Sequence, residues 1–313
     1  MLVGEAVRAS VVIAGATAIG KTALALSLVR AVPGRFEIVS ADSIQVYQRF
    51  DIGSAKPSSI ERAEAAFHLI DFVEPDVDFT LVDYVAAASA ALRDIVSRGK
   101  VPLIVGGTGL YIRALTAGLG IPLAGPDESL RGQLTLEAQN YGAPALHRRL
   151  AEVDSDAASR IHRNDLKRII RALEVYTLSG RPLSQWRKED EARERTAPRR
   201  YIALDRNREK LYRAIDKRVD AMYSSGIVEE TEALRAEGYS AELKPMTSVG
   251  YLQANQMIDG KISRPEAIEL TKNATHQYAR RQLIWFRGEP VTDWINLEDK
   301  TVEEVLNSLV ETT

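Results

Sequence analysis

The sequence predicts an α/β protein, in which helices wrap the parallel sheet of a phosphate-loop core and an all-helical insertion interrupts that core. Three observations lead to this fold class. A short apolar run, Val11 to Ala14, is followed by a glycine-rich loop and a helical segment. Apolar runs then alternate with helical segments over the first third of the chain. An arginine-rich stretch, about residues 120–200, shows helical patterns alone.

The strands are predicted from short apolar runs, and the helices from composition and from where glycine or proline stops them. The helix after the glycine-rich loop ends before Pro33-Gly34, and an alanine-rich helix ends at Gly99. The strands expected before the insertion are 11–14, 37–41, 67–70 and 101–105, and the helices are 21–30 and 79–98. A strand over 201–204 follows the insertion, and from Arg208 onward the chain is expected to be helical, with apolar residues at helical spacing in Tyr212, Ile215, Val219 and Met222.

These elements predict two domains. Residues 1–119 and 201–313 form the phosphate-loop core with C-terminal helices, and residues 120–200 form the helical insertion. The break near Gly118 is marked by Pro122, Gly125 and Pro126. The 313 residues include no cysteine, which excludes disulfides and thiolate metal sites and fits a cytoplasmic location. No apolar run is long enough for a membrane helix, and we expect a monomer without a membrane partner.

Charge is distributed unevenly along the chain. Residues 148–200 hold 14 Lys and Arg but 9 Asp and Glu, a net charge of +5, so the remainder carries −7 within a total of −2. A basic segment inside an acidic chain is typical of a protein in which one part contacts a polyanion. A solvated charged surface is the alternative interpretation on charge alone.

The glycine-rich loop matches the phosphate-loop pattern G-x-x-x-x-G-K-[ST] at every fixed position. Its backbone N–H groups and the following helix N-terminus would surround an anion, its lysine would add a cation, and its final hydroxyl would bind Mg²⁺. The predicted diphosphate-binding residues are Gly15, Ala16, Thr17, Ala18, Ile19, Gly20, Lys21 and Thr22.

Such a loop does not identify the rest of its ligand. A small-molecule kinase that uses ATP is therefore one hypothesis, and a non-catalytic RNA-binding protein is another. Kinases of this class usually hold magnesium with an Asp at the end of an apolar strand. Asp71 is a candidate for that role, whereas the better-formed strand over 101–105 ends in Gly106-Gly107-Thr108 without a carboxylate.

Seven segments, in order from about residue 11 to 287, resemble the motifs of the tRNA dimethylallyltransferase family. The phosphate loop is similar to the family's G-P-T-A-x-G-K-[ST], and Asp42 begins a segment similar to D-S-x-Q-x-Y. Ala16 and Ile19 differ from the residues common in that loop. Ser248 and Leu252 stand where some members have basic residues. The remaining matching segments are 51–57, 106–111, 162–174, 249–251 and 281–286.

The resemblance implies a reaction and the residues for it. A dimethylallyl group would pass from dimethylallyl diphosphate to the N6 amine of the adenosine 3′-adjacent to the anticodon, with release of diphosphate. Asp42 would act as the base that takes the N6 proton. Thr17 would contact both substrates, and Arg218 would reach the diphosphate. A surface salt bridge is the alternative role for Arg218, and binding Mg²⁺ or capping a turn is the alternative for Asp42.

The implied partner is the anticodon stem-loop of tRNA, whose target adenine must leave its stack. A helix starting near Arg160 would place Arg160, Asn164, Lys167 and Arg171 on one basic stripe, opposite an apolar side. The cysteine-free chain resembles the family's short bacterial form. The residues expected to contact tRNA are Asp42, Ser43, Ile44, Gln45, Thr108, Lys167, Arg168, Arg171 and Arg281.

Overall fold

The computed structural model describes residues 3–117, 127–192 and 195–310, and its described residues form two compact units. The larger unit combines residues 1–116 with 196–313, and the smaller one is residues 117–195. The insertion predicted from the sequence, residues 120–200, ends five residues later than the smaller unit does. Residues 196–200 belong to the larger unit because they lead into its sheet, where the Arg199 N–H donates to the Ser10 carbonyl at 2.9 Å.

The larger unit contains one parallel sheet of six strands in the order β3-β2-β4-β1-β5-β6. Strands β1 and β2 are buried along their whole length, as expected for a parallel sheet covered on both faces. The strands are β1 (Val11–Ala14), β2 (Phe36–Ala41), β3 (Phe67–His68), β4 (Val101–Gly106), β5 (Arg200–Asp205) and β6 (Asp293–Asn296).

Helices of the larger unit surround this sheet. Thr80 and Ser263 each cap a long helix through a capping box. The hydroxyl of the capping residue accepts from the backbone N–H of the residue three positions later, and the carboxylate of that later residue accepts from the backbone N–H of the capping residue. The helices are α1 (Val3–Arg8), α2 (Lys21–Ala31), α3 (Ser59–Glu64), α4 (Leu81–Ser97), α5 (Gly109–Ala117), which ends at the boundary, α11 (Arg208–Ser224), α12 (Ile227–Ala236), α13 (Tyr251–Ile258), α14 (Arg264–Arg287) and α15 (Val302–Val310), with a 3-10 turn at Pro245–Thr247.

The smaller unit is helical throughout its described residues and has a core of its own. This core is built from apolar residues of four helices, Leu134, Ala138, Leu146, Leu150, Ala157, Ala158, Ile169, Ile170, Ala172 and Leu173. The helices are α6 (Glu128–Tyr141), α7 (Ala143–Val153), α8 (Ser155–Arg160), α9 (Leu166–Ser179) and α10 (Leu183–Ala192).

The predicted fold class is confirmed, with three differences in detail. Strand β3 has only two residues, because Leu69 and Asp71 both adopt positive φ angles of 62° and turn the chain out of the sheet. The expectation of helix alone after Arg208 was wrong, because β6 adds an edge strand beside β5. The single basic helix expected from Arg160 was also wrong, because α8 ends there and α9 begins at Leu166.

Strand order decides where the chemistry-bearing loops meet. Strands β2, β4 and β1 are neighbours and run in parallel, so Asp42, Gly107 and Gly15 each follow a carboxyl end at the same edge of the sheet. Ligands of open α/β sheets bind at this edge. Among the described residues, no helix is long and apolar enough to cross a membrane.

Candidate active site

The phosphate loop connects β1 to α2 in a strained conformation. Gly15 and Gly20 have φ angles of 148° and 110°, and Ala18, which has a side chain, is held at 60°. Such strain in a non-glycine residue is typical of ligand-binding loops. Ala16 and Ile19, the two residues unusual for the resembling family, are 0% and 2% exposed. They therefore pack into the core and leave the anion-facing surface to the backbone.

Lys21 lies at the start of α2, where its Nζ donates to the Ala16 carbonyl at 2.7 Å. Burial lowers the pKa of this lysine to about 8, an effect that the Asp42 charge opposes and the Arg218 charge reinforces. Because a second cation is close and burial removes water, an incoming anion would stabilise the charged form of Lys21. Thr22, the expected metal ligand, is half-buried in the first turn of the same helix.

Asp42 follows β2 and caps a tight turn with one of its two oxygens. The Oδ1 atom accepts from the N–H groups of Ile44, at 2.9 Å, and Gln45, at 3.2 Å. This is the turn-capping role weighed as an alternative, but it uses only one carboxylate oxygen. The turn therefore fixes the orientation of the carboxylate and leaves Oδ2 for another partner.

A cavity of about 280 Å³ brings together several of the predicted site residues, all in the larger unit. Thr17, Asp42, Ser43, Ile44 and Arg218 all line it. Burial lowers the pKa of Arg218, against the opposing charge of Asp42. Arg218 forms no ion pair with any other described side chain. Its place in the cavity wall therefore favours the ligand-directed role over the surface salt bridge.

Thr108 joins this site through the backbone of the Asp42 turn. Its Oγ1 accepts from the Ser43 N–H at 3.2 Å, and its own N–H donates to the Ala41 carbonyl at 3.1 Å. Gly106 permits this approach, since a Cβ there would lie 2.1 Å from the same carbonyl oxygen. The ends of β2 and β4 are thereby held side by side.

Gln45 has a different position from the one expected of a tRNA-contacting side chain. Its Oε1 accepts from the Ser40 hydroxyl at 3.0 Å, and its Nε2 donates to the carbonyls of Ser54 and Ala55 at 3.3 and 3.2 Å. The side chain is thus engaged inside the protein, where it supports the loop of residues 51–57. Any contact with RNA at this position would come from the backbone.

Two site residues on α14 were missed in the sequence. The Gln282 side chain accepts from the Thr17 N–H at 2.8 Å and donates to the Gly107 carbonyl at 2.9 Å, so it connects the phosphate loop to the end of β4. Tyr278 lines the cavity one turn earlier, where Thr108 and Gln282 are close enough to lower the pKa of its hydroxyl. Gln282 belongs to the matching segment 281–286, which was the available signal.

Burial raises the pKa of Tyr278 to about 12, the Asp42 charge adds to this rise, and the Thr108 hydrogen bond opposes it. The phenol is therefore neutral at physiological pH and available as a hydrogen-bond donor. The neighbouring Arg281 is exposed, with its guanidinium 5.8 Å from the Tyr278 ring centroid. Trp285 instead lies against Gly109 and beneath the Arg113 guanidinium, 4.0 Å away, so its role is structural.

Lys167, Arg168 and Arg171 lie on α9 of the smaller unit. Asp165 caps this helix, accepting from the Arg168 N–H at 3.2 Å, which explains why the chain breaks before it. The Arg168 side chain is 73% exposed, whereas Arg171 contacts the fully buried Glu174 at 2.6 Å. The expected tRNA contacts on α9 stay a prediction, with Arg168 the more accessible of the two arginines.

Asp71, considered as a magnesium ligand, is neutralised by two cations. Its oxygens lie 2.8 Å from Lys56 Nζ and 3.2 Å from the Arg62 guanidinium. These contacts favour a structural role in the loop that follows β3. Groups of three or more His, Cys, Asp or Glu side chains that could hold a metal ion do not occur in the described part of the chain.

The fold and this cavity define a class of protein: a phosphate-loop α/β protein in which an acid and an arginine line one partly enclosed site, close enough to the loop lysine to affect its pKa. The sequence profile of the IPP transferase family matches residues 45–289, and that of isopentenyl transferases matches residues 9–66. The chain belongs to the IPP transferase family.

Individual relatives agree with this assignment. A tRNA dimethylallyltransferase of Geobacter sulfurreducens is 45% identical over 285 residues, or 91% of each chain, and one of Geobacter metallireducens is 46% identical over 93% of each chain. The solved tRNA isopentenylpyrophosphate transferase of Bacillus halodurans is 34% identical with a TM-score of 0.70, covering 96% of this chain and 95% of its own. A eukaryotic dimethylallyltransferase acting on tRNA shares the fold, with a TM-score of 0.79 at 23% identity over 96% of this chain and 79% of its own.

Proposed function

We propose that this protein is a tRNA dimethylallyltransferase, which transfers a dimethylallyl group from dimethylallyl diphosphate to the N6 amine of the adenosine 3′-adjacent to the anticodon. The observation that carries the proposal is the shared cavity of Thr17, Asp42 and Arg218 at the end of the phosphate loop. An acid able to take a proton and a cation able to receive a leaving anion lie together there, and this transfer needs both.

The chemical step forms a bond between adenine N6 and C1 of the donor while the bond from C1 to the diphosphate oxygen breaks. The electron pair of that bond leaves with diphosphate, and the N6 proton passes to a base. Asp42 is the base in this proposal, since Oδ1 is held by its turn and Oδ2 has no hydrogen-bond partner in the described protein. Proton removal of this kind contributes about 10²–10⁴-fold.

The leaving group is stabilised by groups already in place. Lys21, Arg218 and the N–H groups of the phosphate loop direct positive potential at one point. Diphosphate would draw Lys21 Nζ away from the Ala16 carbonyl, which it contacts at 2.7 Å in the structure. The reduced pKa of Lys21 means that the free site carries this charge at some cost, which anion binding would offset.

Mg²⁺ fits the donor set present. This ion usually takes one or two protein oxygens together with phosphate oxygens and water. The half-buried Thr22 hydroxyl, one residue after Lys21, is the protein ligand in this proposal, and the diphosphate would supply others. When bound, the ion would neutralise part of the charge on the leaving diphosphate.

The tRNA partner is expected to use both units. Around the cavity, Asp42, Ser43, Ile44 and Thr108 would meet the extruded adenine and its neighbours, and Arg281 a phosphate. In the smaller unit, Lys167, Arg168 and Arg171 would meet the anticodon stem. A cytoplasmic, monomeric enzyme is part of the same proposal.

One experiment tests the proposal against the kinase hypothesis. Purified protein is incubated with unmodified tRNA, Mg²⁺ and dimethylallyl diphosphate, with no nucleotide present, and nucleosides are analysed by mass spectrometry. A mass gain of one dimethylallyl group on the adenosine beside the anticodon, with release of inorganic diphosphate, is expected. A requirement for ATP with release of ADP would overturn the assignment.

A further inference from the structure

A second cavity, of about 600 Å³, lies beside the one that holds Asp42. Of the residues that the structure describes, Arg218 and Met222 alone line both cavities. They stand four residues apart on α11 and therefore on the same face of the helix, about 6 Å apart along its axis. The helix thus supplies one side of a wall between the two spaces.

The tip of Met222 closes this wall against the turn before α13. A Cβ placed on Gly250 would lie 3.2 Å from the terminal methyl of Met222, so the side chain reaches that backbone. Met222 is 8% exposed, although cavities adjoin it on both sides. Its outer carbons are consequently the part of the wall that a shorter side chain would remove.

The opposite side of the wall is the loop of residues 51–55, and it is fixed in place. The Glu230 carboxylate accepts from the N–H groups of Asp51, at 3.1 Å, and Ile52, at 3.0 Å. The Gly53 N–H donates to the Tyr251 hydroxyl at 3.1 Å, and a Cβ at Gly53 would overlap the tyrosine ring. These contacts hold the loop against α12 and α13.

We propose that Met222 sets the length of the prenyl donor by closing the first cavity beyond a single isoprene unit. The inference rests on the proposed function, in which the diphosphate lies against Arg218. The donor's hydrocarbon would then extend one helical turn along α11, past Val219, and meet Met222. The second cavity has apolar lining residues, Ile52, Ala55, Pro57 and Ala221, beside charged ones such as Lys56, Arg62 and Asp71. Its volume gives room for another isoprene unit once the wall is open.

The test is donor competition in the purified, full-length protein. Transfer to an anticodon stem-loop is measured with dimethylallyl diphosphate and with geranyl diphosphate, and product masses identify the group transferred. We expect the wild-type protein to prefer the shorter donor by at least about a hundredfold in kcat/KM, since a pocket discriminates even one methylene by about 10–200-fold. Met222→Ala should raise the ratio for geranyl over dimethylallyl diphosphate by at least about tenfold.

Matched variants distinguish a specific opening between the two cavities from a general loss of packing. Met257→Ala makes the same substitution at a partly buried methionine that lines neither cavity, so its donor ratio should stay near that of the wild type. Ala221→Leu added to Met222→Ala refills the second cavity and should reverse the gain. Met222→Val serves if the alanine variant loses its helical circular dichroism.

Two failures are distinguishable. If the wild-type protein transfers nothing from dimethylallyl diphosphate, the proposed function is wrong. If a folded Met222 variant still transfers the dimethylallyl group but its donor ratio is unchanged, or if Met257→Ala gains geranyl transfer equally, the role given to Met222 is overturned.

Discussion

At the scale of single residues, Asp42 combines a structural and a chemical task on separate oxygens. The Oδ1 atom holds the turn after β2, and the proposed proton transfer uses Oδ2. A change at this residue can therefore remove one task and keep the other.

Asp42→Asn should reduce kcat by at least about a hundredfold, because the amide keeps the Oδ1 acceptor and loses the basic oxygen. Donor and tRNA affinity should remain, as measured by equilibrium binding beside single-turnover rates. Asp42→Ala is the matched variant, since it also removes the turn and should lower the melting temperature. Near-normal turnover in Asp42→Asn would remove this residue from the mechanism.

Lys21 gives the reaction a pH dependence. The lysine pKa of about 8 in the free protein lies below its ordinary value, so the amine is charged below this pH and loses its proton above it. Diphosphate binding needs the charged form, and kcat/KM for the donor should therefore fall above about pH 8, by at most about tenfold per unit. Lys21→Arg should be less active but flat in this range, because arginine stays charged. An identical fall in both proteins would assign the pKa elsewhere.

Tyr278 is expected to position groups around the Asp42 turn through its hydroxyl. Tyr278→Phe removes a hydroxyl from the cavity wall beside Thr108 and Gln282. Losing one hydrogen bond to the substrate costs about 0.5–1.5 kcal/mol, so kcat/KM for tRNA should fall by about 2–10-fold. Steady-state kinetics with varied tRNA measures this. Tyr212→Phe is the control, because Tyr212 stacks on His276 and does not line the cavity. Equal losses in both variants would contradict a local role.

At the scale of elements, the close approach of β2 and β4 depends on a missing side chain. Gly106→Ala would place a Cβ 2.1 Å from the Ala41 carbonyl oxygen, and overpacking of this kind costs about 1–3 kcal/mol. Gly132→Ala, inside α6 with open space around it, should instead stabilise by about 0.5–1 kcal/mol. Denaturant unfolding measures both. A Gly106→Ala protein as stable as the wild type would show that the strands can separate without loss.

Local sequence was sufficient to predict the elements whose hydrophobic pattern matches their burial in the structure. Strand β1 is a fully apolar run, β2 and β4 are apolar over most of their length, and the phosphate loop has a fixed spacing. Strand β6 was not predicted, because it is short and half-exposed at the sheet edge and therefore lacks an apolar run. The break before α9 depends on Asp165 acting as the helix cap. The prediction of one helix from Arg160 used residue spacing alone, and spacing does not reveal such a cap.

Contacts between distant segments could not be predicted in the same way. Gln282 reaches Thr17 and Gly107 only because α14 packs beside the carboxyl edge of the sheet. The wall formed by Met222 likewise depends on the loop of residues 51–55. Periodicity indicates which face of a helix is buried but carries no information about which loop that face meets.

At the scale of the whole molecule, most of the basic segment, residues 148–195, belongs to the smaller unit, whereas the reaction cavity belongs to the larger one. Arg168→Gln should weaken tRNA binding and reduce its salt dependence by about one unit of slope per lost phosphate contact, while donor affinity stays unchanged. Adding Arg171→Gln should deepen the effect, but it also removes an ion pair from the buried Glu174. Binding titrations at several salt concentrations give the slopes.

A double variant in the larger unit provides the matching control for that charge change. Arg30→Gln with Arg235→Gln removes two cations that are paired on the surface with Glu64 and Asp259, and it should leave the slope unchanged. If the salt dependence of tRNA binding changed equally in this control, the effect of the Arg168 substitution would be a consequence of net charge alone. An unchanged slope in the Arg168 variant would remove α9 from the RNA-binding surface.

The position of the insertion also fixes an order of events during synthesis. Strand β1 pairs with β5, yet the whole smaller unit is translated between them. At about 5–20 residues per second, the ribosome needs on the order of ten seconds to cross that unit. The centre of the sheet keeps one open edge throughout this interval. The insertion, whose core is contiguous in sequence, has all its core residues by the end of it, before β5 is made. Nascent chains should therefore depend on chaperones most strongly just before β5 emerges.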